Sequence, residues 1–228
     1  LEEMGLNKRT GNALLKRGAD EKGRKSRGTY VMITGDKQLS PDNAAEVKVA
    51  SSMKNTNGEI VKVILISKAG SEGLDFKNIR QVHIMEPWYN TNRTEQIIGR
   101  GVRTCSHINL PFLERNVMIY LYGTQLPDDS EAADLYVYRL AEKKALQIGA
   151  VTRVLKEGAV DCLLNASQQL LTADNMNQSY DIELSNGTKV NLNVGDQPFT
   201  QLCDFMKSCE YTCQPNATIE PRDIKFDT

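Results

Sequence analysis

Four short apolar segments in the first half of the chain constrain its fold more than any other feature. They are rich in β-branched residues and cover residues 29–35, 61–67, 81–86 and 116–124. Helical patterns lie between them, at residues 41–55 and 92–105. A nearly continuous apolar run is typical of a strand buried on both faces, and alternating strands and helices are typical of a parallel sheet. The sequence therefore predicts an α/β fold, with segment 61–67 buried on both faces.

The pattern changes after Thr124. Residues 127–165 have a helical pattern, with Ser130 as a candidate N-cap before acidic residues of the first turn. Residues 180–194 have the pattern of a β-hairpin that turns at Asn186 and Gly187. The sequence therefore predicts three parts: an α/β domain over residues 1–125, a helical extension over 126–172, and a tail with a small hairpin over 173–228.

Composition narrows the class of protein. The chain has 228 residues, of which 40% are hydrophobic and 25% charged, as in ordinary globular proteins. No apolar run approaches the roughly 18 residues of a membrane helix, and no signal-peptide pattern is present, so we expect no membrane partner. The chain begins at Leu1 rather than at a methionine and ends without a closing element. We therefore expect a piece of a longer protein.

The five cysteines predict free thiols in a reducing, intracellular setting. An odd number in a chain of this length argues against a disulfide framework. Cys203, Cys209 and Cys213 have the spacing C-x5-C-x3-C, whereas zinc takes four ligands, usually in tighter pairs. We expect ordinary thiols and no metal, with zinc as the weaker alternative.

Charge is distributed unevenly along the chain, although the net charge is only −1. Residues 1–27 carry eight basic and four acidic residues, a net charge of +4, and residues 171–228 have a net charge of −5. Any contact with nucleic acid must therefore be local. The basic stretch at residues 22–28 is more simply explained as a solvated loop.

The segment QIIGRGVRT, residues 96–104, breaks several rules of helix formation. Each of Gly99 and Gly101 costs about 1 kcal/mol relative to alanine in a helix interior. Arg100 and Arg103 are three residues apart, on one helix face, where like charges repel. A bound triphosphate would reverse this repulsion, because guanidinium groups bind phosphate oxygens bidentately. The alternative is a surface helix whose arginines pair with nearby carboxylates.

A second candidate site follows the apolar segment 61–67, which continues directly into KAGSEGLDF. Ligands of parallel sheets bind beyond the carboxyl ends of the strands. Ser67 and Lys68 could contact phosphate there, Gly73 allows close approach of the backbone, and Asp75 could accept hydrogen bonds from a sugar. An ordinary connection between a strand and a loop explains the same residues equally well.

Together, the segments SKAGSEGLDF, EPWYN and QIIGRGVR, in this order, resemble motifs V, Va and VI of the superfamily 2 helicases and translocases. Motif VI has a polar residue, Gly-Arg and a further Arg, which Gln96, Gly99, Arg100 and Arg103 match. The resemblance covers about residues 1–125. The segments EGLDFKNIRQVHIMEPWYN and AVDCLLN are similar to large-DNA-virus helicases of the poxvirus early transcription factor and nucleoside triphosphate phosphohydrolase type.

The resemblance implies the second RecA-like domain of a helicase core, with a parallel sheet and an N-terminal truncation. A helical extension and a small β-containing tail would follow it. The sequence has no G-x-x-x-x-G-K-[ST] phosphate loop, no acidic Mg²⁺ box and no motif IV strand. ATP and Mg²⁺ would therefore be held mainly by an N-terminal RecA-like domain of the same polypeptide, and this chain alone would be inactive.

By resemblance, the helicase residues would divide into three groups. The catalytic group would place Arg103 as the arginine finger, Arg100 on a phosphate, and Gln96 near the attacking water or γ-phosphate. The nucleotide-binding group would be Gly73, Asp75 and Gly99, with Asp75 at the ribose. The nucleic-acid-binding group would be Thr34, Gly35, Ser67 and Lys68.

The expected function is a share in ATP-dependent helicase or translocase activity on DNA or RNA. The partners would include viral transcription machinery, and a viral protein would act in the virion or the host cytoplasm. The alternative is a non-enzymatic, helicase-like scaffold or transcription-factor interaction module. Of the remaining residues, we expect His83 to be a core histidine and Trp88 to pack at a domain hinge, or else to stack on a base.

Overall fold

The computed structural model describes residues 1–12, 14, 27–68, 74–128, 130–163, 178–193 and 197–214. Seven strands lie among them: β1 (Asn7–Lys8), β2 (Thr29–Ile33), β3 (Val63–Ile66), β4 (Gln81–Ile84), β5 (Met118–Leu121), β6 (Ser179–Glu183) and β7 (Lys189–Asn193). The α-helices are α1 (Asn43–Ala50), α2 (Thr91–Gly101) and α3 (Ala133–Glu157). The chain forms two compact units, Leu1–Val82 with Gln96–Ile119, and His83–Glu95 with Tyr120–Thr228.

The strands confirm the α/β fold with parallel pairing. β1, β2 and β3 form one parallel sheet in that order, with Tyr30 opposite Val63 and Ile33 opposite Ile66. β4 and β5 form a second pair. The Met118 N–H donates to the Arg80 carbonyl and the Tyr122 N–H to the Ile84 carbonyl, so this pair is also parallel. Strands β1 to β5 therefore form two separate sheets of parallel strands rather than one continuous sheet.

The prediction that segment 61–67 is buried on both faces is wrong. Leu65 and Ile66 are each 40% exposed, and Val63 and Ile64 are half-buried. Among the described strands, β3 pairs only with β2 and is therefore an edge strand. Its continuous apolar sequence does not distinguish an edge from a centre, because both contain β-branched residues.

The core of the first unit forms where α1 packs beside β2. Val31, Ala50 and Val61 are buried there. Asp42 caps α1 by accepting a 2.9 Å hydrogen bond from the Ala45 N–H, as the acidic start of this helix predicts. The fully buried Glu46 of α1 then pairs with a guanidinium nitrogen of Arg9 at 2.9 Å. A buried charge requires such a partner, so α1 is fixed to the segment after β1.

Tyr30 on β2 is a second polar group in this core. Its ring is 2% exposed, and its hydroxyl donates a 2.7 Å hydrogen bond to Glu2. Burial, and then the hydrogen bond and the negative charge of Glu2, raise the pKa of Tyr30 to about 12. The phenol therefore stays neutral, as a buried hydrogen-bond donor should.

A stripe of residues four apart forms the buried face of α3. It consists of Ala141, Ala145, Gly149 and Arg153. A Cβ atom at Gly149 would lie 1.9 Å from the carbonyl oxygen of Asp204, so glycine allows segment 197–214 to approach the helix closely. The last member of this buried stripe is charged, so it needs a partner there.

Arg153 holds the tail segment through its guanidinium group. Its Nε atom donates to Asp204 at 2.7 Å, and its other nitrogens donate to the carbonyls of Cys203, Ser208 and Glu210 at 2.7–3.0 Å. The Lys156 ammonium lies 2.6 Å from the second Asp204 oxygen. Arg153 and Asp204 are 6% and 2% exposed. Both buried charges are therefore paired, which keeps their desolvation cost compensated.

The prediction of free thiols is wrong for four of the five cysteines. Cys162 is disulfide-bonded to Cys213, and Cys203 to Cys209, while Cys105 is free and exposed. The count of cysteines could not reveal this, because an odd total is compatible with two bridges and one thiol. Both bridges lie in the same unit as Arg153. One joins the tail segment to Cys162, which follows α3, and the other closes a short loop within the tail segment.

The β-hairpin is confirmed. β6 and β7 pair in antiparallel register from Ser179 opposite Asn193 to Glu183 opposite Lys189. Gly187 has a positive φ of 81°, which the turn requires and glycine adopts without strain. The prediction that Ser130 is the N-cap is wrong. Helix α3 begins at Ala133, and the Ser130 hydroxyl donates a hydrogen bond to Asp128 instead.

The predicted domain boundary at 172/173 lies outside the described residues, and that at 125/126 stays a prediction. None of the helices in the described residues combines the length and apolar character needed to cross a bilayer.

Asp204→Asn should lower the free energy of unfolding by about 3–5 kcal/mol, since it leaves the Arg153 charge buried without its carboxylate. Glu131→Gln is the matched control. It removes one partner of the exposed Arg139–Glu131 pair at 2.7 Å and should cause no measurable change. Chemical denaturation of both variants tests this, and equal effects would contradict the structural role of Asp204.

Thiol titration checks the cysteine pairing. One reactive thiol per chain is expected without reductant, at Cys105, and five after reduction and unfolding. Peptide mapping without reduction should recover Cys162 linked to Cys213. Five reactive thiols in the unreduced chain would contradict the two bridges and support the sequence-based prediction of free thiols.

Candidate nucleotide and nucleic-acid site

Helix α2 and the turn after it supply the arginines of the candidate nucleotide site, and the helix is shorter than predicted. It ends at Gly101 rather than near residue 105. The Arg103 N–H donates to the Ser106 hydroxyl at 3.2 Å, and the Ser106 N–H donates to the Arg103 carbonyl at 3.0 Å. Cys105 has a positive φ of 61°. These features form a turn that replaces further helix, so Arg103 lies beyond the helix that carries Arg100.

The Arg103 side chain folds back over the end of α2. Its Nε atom donates to the Gly99 carbonyl at 3.2 Å and its Nη2 atom to the Leu74 carbonyl at 3.3 Å. Its Nη1 atom lies 3.4 Å from Asp75 Oδ1. The carbonyl end of a helix carries partial negative charge, which favours a guanidinium there. The structure thus joins three predicted site residues, Gly99, Arg103 and Asp75, by direct contacts.

Gln96 and Arg100 lie one turn apart on α2, so their side chains share a face. Gln96 is exposed and Arg100 is half-buried. In contrast to Arg103, Arg100 forms no ion pair with any residue that the structure describes. Its charge is therefore available for an anion.

The two glycines of α2 differ in their surroundings. A Cβ atom at Gly101 would lie 3.1 Å from a methyl group of Val82 and 3.2 Å from one of Ile79, so the absence of a side chain allows the helix end to pack closely. A Cβ atom at Gly99 would meet no atom within 4 Å among the described residues. Packing therefore accounts for Gly101 and leaves Gly99 unexplained.

The predicted nucleic-acid residues meet at the carboxyl ends of β2 and β3. Ile33 pairs with Ile66, and the Ser67 N–H donates to the Ile33 carbonyl at 3.0 Å. Parallel pairing therefore places Thr34 and Ser67 on neighbouring strand ends. Gly35 and Lys68, which follow them, are exposed.

Thr34 is engaged within the protein. Its N–H donates to the Ser40 hydroxyl at 3.0 Å, and its carbonyl accepts from the Asn43 amide at 2.8 Å. Ser40 is buried. Thr34 therefore fixes the turn that presents Gly35. Gly73, which was also predicted to bind the nucleotide, lies outside the described residues.

The prediction of a core histidine at His83 is wrong. Val82 and Ile84 take the buried face of β4, so alternation along the strand leaves His83 exposed. Its ring stacks on Tyr120 at a centroid distance of 4.6 Å, and its Nδ1 atom lies 2.9 Å from the Tyr122 hydroxyl. Trp88 is 36% exposed, with the Arg93 guanidinium 4.1 Å from its ring centroid. This contact tests neither role predicted for Trp88.

The zinc alternative is also excluded for Cys203, Cys209 and Cys213, because all three are disulfide-bonded. Among the residues that the structure describes, no group of three or more histidines, cysteines or acids could hold a metal ion.

Comparison with known proteins gives this geometry a context. Residues 23–105 match the helicase conserved C-terminal domain. The chain is 38% identical over 151 residues to a putative ATP-dependent RNA helicase, R350, of Acanthamoeba polyphaga mimivirus, covering 63% of this chain and 18% of the relative. It is 30% identical over 194 residues to the putative helicase 087L of Invertebrate iridescent virus 3, covering 83% and 18%.

A third relative is the termination factor NPH-I homolog of African swine fever virus, 33% identical over 153 residues that cover 62% of this chain and 22% of the relative. The chain thus spans about a fifth of the length of the curated relatives it matches. The match to the C-terminal helicase domain includes α2, Arg103 in the turn that follows it, and the ends of β2 and β3.

Substitution of each glycine by alanine tests how α2 is built. Gly99→Ala should stabilise the chain by up to about 1 kcal/mol, because helix propensity improves and none of the described residues obstructs the new methyl group. Gly101→Ala should instead destabilise it, because that methyl group must displace Val82 and Ile79. Thermal unfolding of the pair gives the comparison, and a stabilised Gly101→Ala variant would refute the packing role.

Proposed function

We propose that this chain, which belongs to the superfamily 2 helicases and contains their C-terminal domain, works as the second RecA-like domain of a viral, ATP-dependent helicase or translocase. The observation that carries the proposal is the pair of arginines at the end of α2. Arg100 has no ion-pair partner among the described residues, and Arg103 contacts Asp75 and Gly99. The arrangement supplies positive charge for a polyanion.

In this proposal, Arg103 is the arginine finger for the γ-phosphate, and Arg100 binds a phosphate beside it. Gln96, on the same face as Arg100, positions the attacking water or the γ-phosphate. Asp75 accepts hydrogen bonds from the ribose, and Gly73 and Gly99 leave room for the nucleotide. Arginine fingers act on charge that develops during phosphoryl transfer, so these residues need a nucleotide presented from outside the chain.

An N-terminal RecA-like domain of the same polypeptide would present that nucleotide. The 228 residues contain no phosphate loop and no acidic box for Mg²⁺. ATP and Mg²⁺ would be held mainly by that domain, across a cleft into which the two arginines reach. Hydrolysis would then drive relative motion of the two domains along a nucleic-acid strand.

The strand itself, DNA or RNA, would contact the carboxyl ends of β2 and β3. Gly35 and Lys68 are exposed there, with Thr34 and Ser67 beside them. The names of the relatives include RNA helicases and a termination factor. These names support a role in viral transcription, and the proposal places that role inside the infected cell or in the virion.

One observation favours a second candidate function. The pairing of Arg103 with Asp75 is also what an ordinary surface helix end would show. A non-enzymatic, helicase-like scaffold or transcription-factor interaction module would keep this pair permanently closed. Hydrolysis by the parent protein distinguishes the two functions.

In the full-length protein, Arg103→Ala should lower the hydrolysis rate on the order of 10³–10⁵-fold while changing ATP affinity only a few-fold. Arg103→Lys should rescue little, because an ammonium group lacks the planar fork. Arg100→Ala should weaken both binding and turnover. Arg139→Ala, which removes an exposed arginine that pairs with Glu131, is the matched control and should leave turnover unchanged.

Steady-state ATPase assays with and without nucleic acid, together with nucleotide-binding measurements, check these outcomes. The 228-residue chain alone should hydrolyse no ATP above background. Parental hydrolysis by the Arg103→Ala variant would show that Arg103 is not a finger.

A further inference from the structure

The Arg103 guanidinium already has partners within the protein in this structure, although the side chain is 47% exposed. Each of its three nitrogens has a different partner: the carbonyls of Gly99 and Leu74, and the carboxylate of Asp75. Arg100, one turn earlier, forms no ion pair with described residues. The two arginines of the site therefore differ in availability.

Of these three contacts, the one with Asp75 is the one that a bound nucleotide can displace. The two carbonyls belong to the backbone and keep their acceptor character in every state. Asp75 is a charged side chain, and the Arg103 and Asp75 side chains are 47% and 57% exposed. An ion pair between half-exposed groups is weak because water and salt screen it, so a competing ligand can separate the two.

A ribose is such a competitor. Its vicinal hydroxyls can donate to both oxygens of one carboxylate, which is acceptor-only when ionised. The 3.4 Å contact from Arg103 uses one of those oxygens, Oδ1. A triphosphate attached to that ribose would at the same time offer the released guanidinium a polyanion, which Arg binds more strongly than a single exposed carboxylate.

We propose that Asp75 is a positioning residue that holds Arg103 away from the phosphate until a nucleotide ribose takes its place on the carboxylate. The inference rests on the proposed function, because it assigns a control to the same arginine. It gives Asp75 two consecutive partners, Arg103 without nucleotide and the ribose with it. Binding of the ribose to Asp75 thereby releases Arg103 to contact the phosphate. A polyphosphate without a suitable ribose would leave Arg103 paired with Asp75.

Chemical labelling of the 228-residue chain tests the holding contact without any need for hydrolysis. Phenylglyoxal modifies accessible guanidinium groups, and peptide mass spectrometry gives the rate at each arginine. The labelling rate at Arg103 divided by that at Arg100 should rise several-fold in Asp75→Asn, because the ion pair no longer holds Arg103. Glu59→Gln, which removes an equal charge from an exposed turn, should leave the ratio unchanged. An unchanged ratio in Asp75→Asn would overturn the proposal.

Kinetics of the full-length protein test the coupling. We compare ATP with 2′,3′-dideoxy-ATP, which lacks both ribose hydroxyls. In the parental protein the dideoxy nucleotide should raise KM and also lower kcat, by up to about fivefold if the pair has the strength of an exposed ion pair. In Asp75→Asn the two nucleotides should have equal kcat. A dideoxy effect on KM alone in the parental protein would mean that Asp75 binds ribose without controlling Arg103, and would overturn the inference.

The outcomes separate this inference from the proposed function. If Arg103→Ala abolishes hydrolysis but Asp75→Asn keeps the parental difference in kcat, the finger stands and its control by Asp75 fails. If Arg103→Ala hydrolyses ATP at the parental rate, the proposed function fails and the coupling fails with it, whatever the labelling rates. Thermal unfolding of Asp75→Asn confirms that the variant is folded, as expected for a half-exposed side chain.

Discussion

The close packing of Gly101 against Ile79 and Val82 fixes the position of α2, and the candidate nucleotide site depends on it. The contact brings the end of the helix against the segment that leads into β4 and against β4 itself. The turn at Ser106 then ends the helix and directs Arg103 back over the Gly99 carbonyl. A larger residue at position 101 would press on the methyl groups of Val82 and Ile79, so either those side chains or the helix end would have to shift.

Charged groups in this molecule follow two regimes. Glu46 in the first unit and Arg153 in the second are buried, and each is satisfied by partners within its own unit. Removal of one partner there leaves an uncompensated charge, which is costly. Arg103 and Asp75 are half-exposed, so their pairing is weak enough to be exchanged. The buried pairs stabilise the fold, and the half-exposed pair suits a site whose contacts must change during a reaction cycle.

Local sequence predicts those features that depend on neighbours in the chain. The Asp42 cap, the hairpin turn at Gly187 and the α/β class follow from residue type and spacing. The motif order QIIGRGVR after SKAGSEGLDF also identifies the helicase resemblance that the comparisons support. Two features do not follow from residue type and spacing. The end of α2 depends on a local turn that includes the Ser106 hydroxyl, and the exposure of His83 depends on which face of β4 is covered.

The long-range features of the second unit were the least predictable. The bridge from Cys162 to Cys213 spans 51 positions, and the Arg153 partners lie 50–57 positions away. Of the candidate site itself, the sequence indicates the residues, and the structure adds the Arg103–Asp75 contact. The catalytic and binding roles of these residues stay predictions.

The attachment of segment 197–214 to α3 limits how the chain can be shortened. A protein engineer who trims the molecule to its helicase match at residues 23–105 plus α3 would remove Asp204 and the carbonyls of Cys203, Ser208 and Glu210 together. The Arg153 charge would lose every one of these partners at once, and Gly149 would lose the backbone that covers it. A minimal version of this molecule therefore needs either the tail or a redesign of the α3 face that the tail covers, with a residue other than arginine at position 153.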